Sequence, residues 1–232
     1  DSHYISILYY LSQIKNSEDL AKFIEDMIPL LHLEKKQVEP IKYIVSELVR
    51  NVLEHSESKY GAMVCAQYYT DSNTIRIGIV DTGVGIGTTI RRSHTAPTDL
   101  DAIQLALTPG ITGTTSREGG TDYNAGAGLF FIKSIAKINR DFFILYSGDT
   151  LYKLLREKKS KNPDDIILYS DPLHDKHSKK IKLPIWPGTV VGIDIGLTET
   201  EKFNTLLDTI RSIYATSVRE RRKARYKKPK FI

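Results

Sequence analysis

Cysteine is almost absent from this sequence, since Cys65 is the only one among 232 residues. An intramolecular disulfide framework is therefore impossible, which excludes the small disulfide-stapled scaffolds and fits a reducing compartment. Long apolar runs are also missing, and no stretch approaches the roughly 20 residues that a transmembrane helix needs. The first residues lack the basic and then apolar pattern of a secretory signal peptide. We therefore expect a cytoplasmic protein without a membrane span.

The charge is unevenly distributed along the chain. The formal net charge is +5, whereas the 41% of hydrophobic residues is ordinary for a globular protein with a full core. Near the C-terminal end, basic residues outnumber the single acid Glu220: Arg219, Arg221, Arg222, Lys223, Arg225, Lys227, Lys228 and Lys230. Such a tail suits nucleic acid, an acidic protein or anionic lipid. No nucleic-acid reading motif accompanies it, so we expect a solvated helix end rather than specific nucleic-acid binding.

The first 36 residues are predicted to form two helices. Apolar residues recur at helical spacing within residues 4–14, which predicts the first. Ser17 is a suitable N-cap for the second, and Pro29 is expected to disturb its end. Neither segment carries recognisable chemistry, so we expect them to cover a sheet or to offer a surface to a partner.

A longer amphipathic helix is predicted from about Val38 to Glu54. Glu47 and Asn51 lie four residues apart and therefore share one face, which His55 extends by a turn. An amide oxygen suits a hard cation, and a carboxylate can accept a proton from a nearby nucleophile. Considered alone, these side chains are more simply a polar row on a helix surface.

Two strands are predicted over Ala62–Tyr69 and Thr74–Val80, joined by a polar turn. The second leads directly into Asp81-Thr-Gly-Val-Gly, a run that by itself is typical of a tight turn. Residues 87–125 are rich in Gly, Thr, Ser and Pro, with one helical patch at Leu100–Leu107. A polar stretch of this length inside a domain is usually functional or disordered, and we interpret it as a flexible lid over a ligand.

The second half of the chain alternates helices, strands and a charged insertion. A helix is predicted to begin at Gly126-Ala-Gly-Leu, and residues 156–187 are predicted to be a solvated loop, in which His174 and His177 are not a metal site. Thr198 and Glu201 form a capping box for a final helix over residues 199–224. The predicted strands are Asp141–Ser147, Thr150–Leu155 and Gly188–Ile195.

Four local motifs occur in a fixed order, and together they are specific. They are Glu47-x-x-x-Asn51, Asp81-x-Gly-x-Gly, Gly126-x-Gly and Gly188-Thr189. In this combination the chain resembles the GHKL superfamily of ATP-binding proteins, over about residues 39–197. The resemblance implies the Bergerat α/β sandwich, a mixed sheet covered by helices on one face. The corresponding domain spans residues 37–198, with the N-terminal helices (1–36) and the C-terminal helix and basic tail (199–232) outside it.

The resemblance assigns roles to individual residues around Mg²⁺-ATP. Asp81 is expected to accept the hydrogen bond of the adenine amine, with Thr189 beside it, and Gly83 and Gly85 to let the backbone approach the base. The following helix start is expected to bind phosphates, and Asn51 to ligate Mg²⁺. The residues assigned to the phosphates are Gly126, Ala127, Gly128 and Leu129. One departure is Asn124, where sensor kinases typically have the first glycine of this motif.

Glu47 bears on the reaction, because sensor histidine kinases usually carry asparagine there. Its carboxylate can activate water in slow ATP hydrolysis, or a serine or threonine hydroxyl of a partner, as in anti-sigma-factor kinases. A third interpretation is a non-catalytic ATP sensor whose lid presents a surface to a partner protein. His32 is more simply a partly buried helix residue than a phosphoacceptor. A protein partner is expected, and a homodimer is left open.

Overall fold

The structure is a computed structural model that describes residues 8–30, 35–115, 127–157, 167–197 and 203–225. Seven strands and six α-helices are described in these ranges, together with a short 3-10 turn at Pro172–His174. The strands are β1 Leu8–Ile14, β2 Ala62–Tyr69, β3 Thr74–Val80, β4 Phe143–Gly148, β5 Thr150–Leu154, β6 His177–Lys180 and β7 Trp186–Gly196. The helices are α1 Ser17–Leu30, α2 Lys35–His55, α3 Gly85–Arg91, α4 Asp99–Ala106, α5 Gly128–Asn139 and α6 Phe203–Arg225.

The seven strands form one sheet in the order β1-β2-β3-β7-β4-β5-β6. β7 lies in the centre and pairs with both β3 and β4, so that Gly78, Gly192 and Ile144 stand side by side. Every neighbouring pair of described strands is antiparallel. The expected mixture of strand directions is therefore wrong for these strands, because β7 returns antiparallel to both of its neighbours.

One face of the sheet is covered by the core. Ile75, Ile77 and Ile79 of β3 are buried, whereas the intervening Arg76 is exposed, which is the alternation of a strand with one packed face. Helices α2 and α5 pack against each other, with contacts to β2 and β7 respectively. The apolar stripe predicted for α2 is buried as expected: Ile44, Val45, Leu48 and Val49. The α/β class is confirmed at this level.

Residues 8–14 contradict the helix predicted for the N-terminal segment. They form β1, which pairs antiparallel with β2 along its whole length and buries Ile14 completely. The apolar spacing that suggested a helix is short, and pairing with a distant strand outweighs such a local preference. The second predicted helix is confirmed as α1, but its cap is Asn16, whose Oδ1 accepts the Asp19 N–H at 2.9 Å. Residues 1–7 and His32 lie outside the described ranges.

Other boundaries are close to expectation, with two additions. The bounds of β2 and β3 match the prediction, and α2 extends it by a few residues. α3 was not predicted, and β6 lies inside the segment predicted to be a loop, where it pairs with β5. The predicted capping box at Thr198 and Glu201 lies outside the described residues. No described helix has the length and apolarity to cross a bilayer.

The charged insertion is anchored to α5 by a buried ion cluster. Asp175 accepts hydrogen bonds from Lys133 and Lys137, each with an N–O distance of 2.5 Å. The Asp175 and Lys133 side chains are fully buried, and burial lowers the pKa of Lys133. Buried charges are stable only when paired, so the cluster fixes residues near 175 against the helix. His177 stacks on Tyr152 in the same region.

Candidate functional site

A cavity of about 300 Å³ opens between α2, α5 and the adjoining ends of β3 and β7. α3 and the segment around residues 106–113 close its other side. The walls include an apolar group formed by Leu48, Val52, Ile79, Ile86 and Val191. Charged and polar groups lie at two ends, one around Asp81 and one around Glu47. The cavity therefore combines an apolar wall with two different polar environments.

The Asp81 end is built from main-chain contacts. The Asp81 residue is only 2% exposed, and its Oδ1 accepts the Gly83 N–H at 2.8 Å. Its own N–H donates to the Thr189 carbonyl at 2.9 Å, and Trp186 Nε1 donates to the Asp81 carbonyl at 2.9 Å. Burial raises the pKa of Asp81, and backbone hydrogen bonds from Gly83 and Thr189 oppose that rise. The carboxyl group is thus held rigidly at the cavity wall.

Two glycines make this end possible by leaving no room for a side chain. An ideal Cβ on Gly188 would lie 2.2 Å from the Asp81 carbonyl oxygen and 2.4 Å from Asp81 Oδ1. An ideal Cβ on Gly83 would lie 1.9 Å from the Ser56 carbonyl oxygen. Gly83 therefore makes room for the end of α2, and it is not among the residues that line the cavity. Its expected role in letting the backbone approach a base stays a prediction.

The Glu47 end is built from side chains around the start of α5. Glu47 Oε1 accepts a hydrogen bond from Arg50 Nη1 at 2.9 Å. Burial raises the pKa of Glu47, although Arg50 opposes the rise. An ideal Cβ on Gly128 would lie 3.0 Å from Glu47 Oε2 and 3.4 Å from Asn51 Nδ2. Glu47 and Asn51 therefore converge on the first turn of α5.

Two polar features at this end have no partner among the described residues. Asn51 Nδ2 is buried and makes no hydrogen bond there. The N-cap of α5 is Ala127, which provides no side-chain hydrogen bond to the first-turn amides. Uncapped amides at a helix start carry partial positive charge and bind anions well. Both features are N–H donors, so a ligand that offers hydrogen-bond acceptors suits this end better than an apolar ligand.

Most residues predicted for the site line this one cavity. They are Glu47, Asn51, Asp81, Gly85, Ala127, Gly128, Leu129 and Thr189. Gly83 lies just outside the wall, and Gly126 and Asn124 lie outside the described residues. The cavity thus brings together segments from α2, the β3–α3 junction, α5 and β7.

Several wall residues were not identified from the sequence. Arg50, Thr89 and Thr112 line the cavity. His55, which the sequence placed on the same helix face as Glu47, also lines it, and burial lowers its pKa. Ser147 does not line the cavity but connects two segments that do or lie next to it, because its Oγ accepts the Ile86 N–H at 2.9 Å and donates to the Gly188 carbonyl at 2.8 Å. A lone serine at a strand end has no distinguishing pattern, so local sequence offered no way to find it.

Residues 87–115 are the described part of the predicted lid, and the segment around residues 106–113 closes one side of the cavity, so the lid function stays a prediction. These residues include most of α3 and all of α4, and Ile103, Leu107 and Ile111 among them are buried. α4 lies at the helical patch predicted at Leu100–Leu107 and begins with a Thr98–Asp101 capping box, whereas α3 was not predicted. Residues 116–125 of the predicted lid lie outside the described ranges.

Comparison with known proteins did not assign the chain to a family. Neither the protein-family models nor the curated proteins gave a match. The function is therefore inferred from the residues of this cavity.

Proposed function

We propose that this chain binds Mg²⁺-ATP in the cavity and hydrolyses it slowly, with Glu47 as the general base. The observation that carries the proposal is the convergence of four separate segments on one cavity. A buried carboxyl stands at one end, and uncapped helix amides stand at the other beside a carboxylate and an amide side chain. Adenine, triphosphate and metal each find a suitable partner in that arrangement.

The Asp81 end suits an adenine ring. The apolar wall offers Ile79, Ile86 and Val191 to its faces, and a carboxylate oxygen accepts a hydrogen bond from its exocyclic amine. Guanine presents a carbonyl oxygen at the same ring position, and two acceptors facing each other repel. The main-chain contacts of Asp81 hold this acceptor in place, which supports selectivity for adenine over guanine.

The Glu47 end suits phosphates and a magnesium ion. The first-turn amides of α5 bind phosphate oxygens, and the uncapped start at Ala127 leaves them available. Asn51 fits a metal ligand, because its buried amide has an unpartnered polar atom and rotation about χ2 exchanges the oxygen with the nitrogen. When bound, Mg²⁺ supplies neutralisation of phosphate charge.

Glu47 lies at the end proposed for the phosphates, where it can act on water, and not at the end proposed for adenine. Its carboxylate accepts a proton from a water molecule as the water oxygen bonds to the terminal phosphorus. The bond from that phosphorus to the bridging oxygen breaks, and ADP leaves with the electron pair. Because burial raises the pKa of Glu47, its carboxylate is a stronger base than a fully solvated one.

Binding is tested with the single tryptophan, Trp186, whose indole contacts Asp81 directly. Titration with ATP, ADP and GTP in the presence of Mg²⁺ is followed by fluorescence, with thermal unfolding as a second measurement. ATP at about a hundredfold excess over its dissociation constant is expected to stabilise the fold by roughly 2.7 kcal/mol. Equal responses to ATP and GTP, or none to either, would overturn the adenine assignment.

Hydrolysis is tested separately by the release of inorganic phosphate from ATP. Sustained release that depends on Mg²⁺ is expected of the isolated chain. Binding without release identifies a nucleotide sensor instead. Transfer of the terminal phosphate from radiolabelled ATP to a serine or threonine of a partner protein, without release of inorganic phosphate, identifies a protein kinase.

A further inference from the structure

The cavity contains little positive charge for a polyphosphate ligand. Glu47, Glu54 and Asp81 line it, and all three are acids. Among the described residues of its wall, Arg50 is the only lysine or arginine. His55 also lines the wall, but burial lowers its pKa and favours the neutral ring. Since Mg²⁺-ATP keeps a net negative charge, the Arg50 guanidinium has a larger electrostatic role here than an ordinary surface arginine.

Arg50 has capacity for a second acceptor. Its Nη1 donates to Glu47 Oε1 at 2.9 Å, and no other acceptor is bonded to this guanidinium among the described residues. A guanidinium carries five N–H donors in a planar fork, which suits two neighbouring anions. The Arg50 side chain is 55% exposed whereas Glu47 is 21% exposed. A small rotation of Arg50 therefore costs little desolvation and keeps the contact with Glu47.

The ion pair of Arg50 and Glu47 lies close to the end of the cavity that is proposed to bind phosphates. Glu47 Oε2 lies beside Gly128, where an ideal Cβ would be 3.0 Å away, at the start of α5. A terminal phosphate bound to that helix start would therefore lie close to the Glu47 carboxylate. Two anions so close repel each other in a partly buried site. A cation shared between them removes the repulsion.

We propose that Arg50 reads the terminal phosphate, bridging it to Glu47 so that the site binds ATP in preference to ADP. This inference depends on the proposed function and adds a specificity-determining residue to it. ADP lacks the phosphate that Arg50 would contact, so loss of the guanidinium weakens ATP binding selectively. Adenine recognition at Asp81 is unaffected, because it lies at the other end of the cavity.

The test compares Arg50→Met with a matched control, Arg211→Met. Arg211 forms the same kind of pair three residues apart on a helix, with Asp208 at 2.8 Å, and is 61% exposed, but it does not line the cavity. Dissociation constants for Mg²⁺-ATP and Mg²⁺-ADP are measured by Trp186 fluorescence. Arg50→Met is expected to weaken ATP binding by roughly tenfold to a hundredfold, the effect of one lost charge-assisted hydrogen bond.

The other expected results separate phosphate reading from a structural role. ADP affinity stays within about twofold in Arg50→Met, as do both affinities in Arg211→Met. Arg50→Lys retains part of the preference for ATP, because it keeps the charge but loses the fork. Equal weakening of ATP and ADP in Arg50→Met, or no weakening of either, would overturn the role of Arg50 alone. Failure of the unsubstituted protein to bind ATP would overturn the proposed function as well.

Discussion

At the Asp81 end of the cavity a carboxyl is held by main-chain groups, whereas at the Glu47 end a carboxylate is held by a half-exposed arginine. Asp81 contacts Gly83, Thr189 and Trp186 through hydrogen bonds that involve backbone atoms at one or both ends. Glu47 has a side-chain partner that can move. Burial raises both pKa values, so burial alone does not distinguish the two ends. The difference lies in rigidity, which suits recognition at one end and chemistry at the other.

Glu47→Gln gives the largest expected effect, and it separates turnover, which is assigned to the Glu47 end, from ATP binding, which also depends on the Asp81 end. Glutamine keeps the shape of the side chain but cannot accept the proton of an attacking water. Phosphate release is expected to fall by roughly a hundredfold to ten-thousandfold, the usual contribution of a general base. ATP affinity measured by Trp186 fluorescence is expected to be retained, because the proposed adenine contact is at the other end.

The pH dependence of turnover provides the control for this variant. A general base must be deprotonated, and the pKa of Glu47 lies above its usual 4.5. Turnover is therefore lost on acidification at a higher pH than a solvated glutamate would give. If the residual turnover of Glu47→Gln is lost at the same acidic pH as that of the unsubstituted protein, the loss would have to be assigned to a group other than Glu47.

Alanine at Gly188 and at Gly128 tests the difference in rigidity directly. At Gly188 the new methyl group meets backbone and carboxyl atoms of Asp81, and at Gly128 it meets the flexible end of Glu47. Gly188→Ala is expected to lower the free energy of unfolding by about 1 to 3 kcal/mol, as overpacking does, and Gly128→Ala by less. Chemical denaturation measures both. Equal losses would show that the two ends are equally rigid.

Asp81→Asn is expected to weaken ATP binding by roughly tenfold to a hundredfold. The amide oxygen keeps the hydrogen bond from the Gly83 N–H, so the NH₂ group replaces the acceptor that is proposed to face the adenine amine. Fluorescence titration measures the change. Binding of ATP at wild-type strength by this variant would rule out the adenine contact.

Asp141→Asn gives the smallest expected effect, and it tests how burial of a carboxyl outside the cavity changes the stability of the fold. Burial raises the pKa of Asp141 to about 6, although Asp141 does not line the site. The folded state then holds a proton that the unfolded state releases near pH 3.8, so stability falls as pH rises from 3.8 through about 6. Asparagine still accepts the Gly196 N–H.

Removing that charge is expected to stabilise the protein at pH 7 by roughly 1 to 2 kcal/mol. Urea unfolding of both proteins at pH 4 and pH 7 measures the gain, which is expected only at the higher pH. The same variant serves as a control for Asp81→Asn, because its ATP affinity should be unchanged. A gain at pH 4 equal to that at pH 7 would contradict the charge explanation.

Strong local patterns accounted for much of the fold. β2 and β3 alternate clearly and end at turns, and α2 carries a long apolar stripe, so all three were predicted at or near their observed bounds. β1 was missed because its conformation depends on pairing with β2, about fifty residues away along the chain. α3 was missed because it is short and glycine-rich, and its position depends on contacts with Ser147.

In the candidate site, too, residues in motifs were predicted, whereas contacts formed only by folding were not. Motif spacing brought attention to Glu47, Asn51 and Asp81, and these residues line one cavity. Gly83 lies against the Ser56 carbonyl, a contact that only the folded chain brings about, and its expected role near a base stays a prediction. Arg50 was passed over because its neighbour Asn51 carries the motif, and its pairing with Glu47 depends on a rotamer rather than on a pattern.

Because β7 lies at the centre of the sheet, the cavity is complete only after β7 has been synthesised and has paired. β7 is the last of the described strands to leave the ribosome, yet it joins the β1–β3 half of the sheet to the β4–β6 half. Until it pairs, β3 and β4 each present an open edge, which is a hazard for aggregation in a nascent chain. Gly188 and Thr189 reach Asp81 only when β7 has paired. A chain truncated before Trp186 would therefore lack both the strand that joins the two halves of the sheet and the Gly188–Thr189 contact with Asp81.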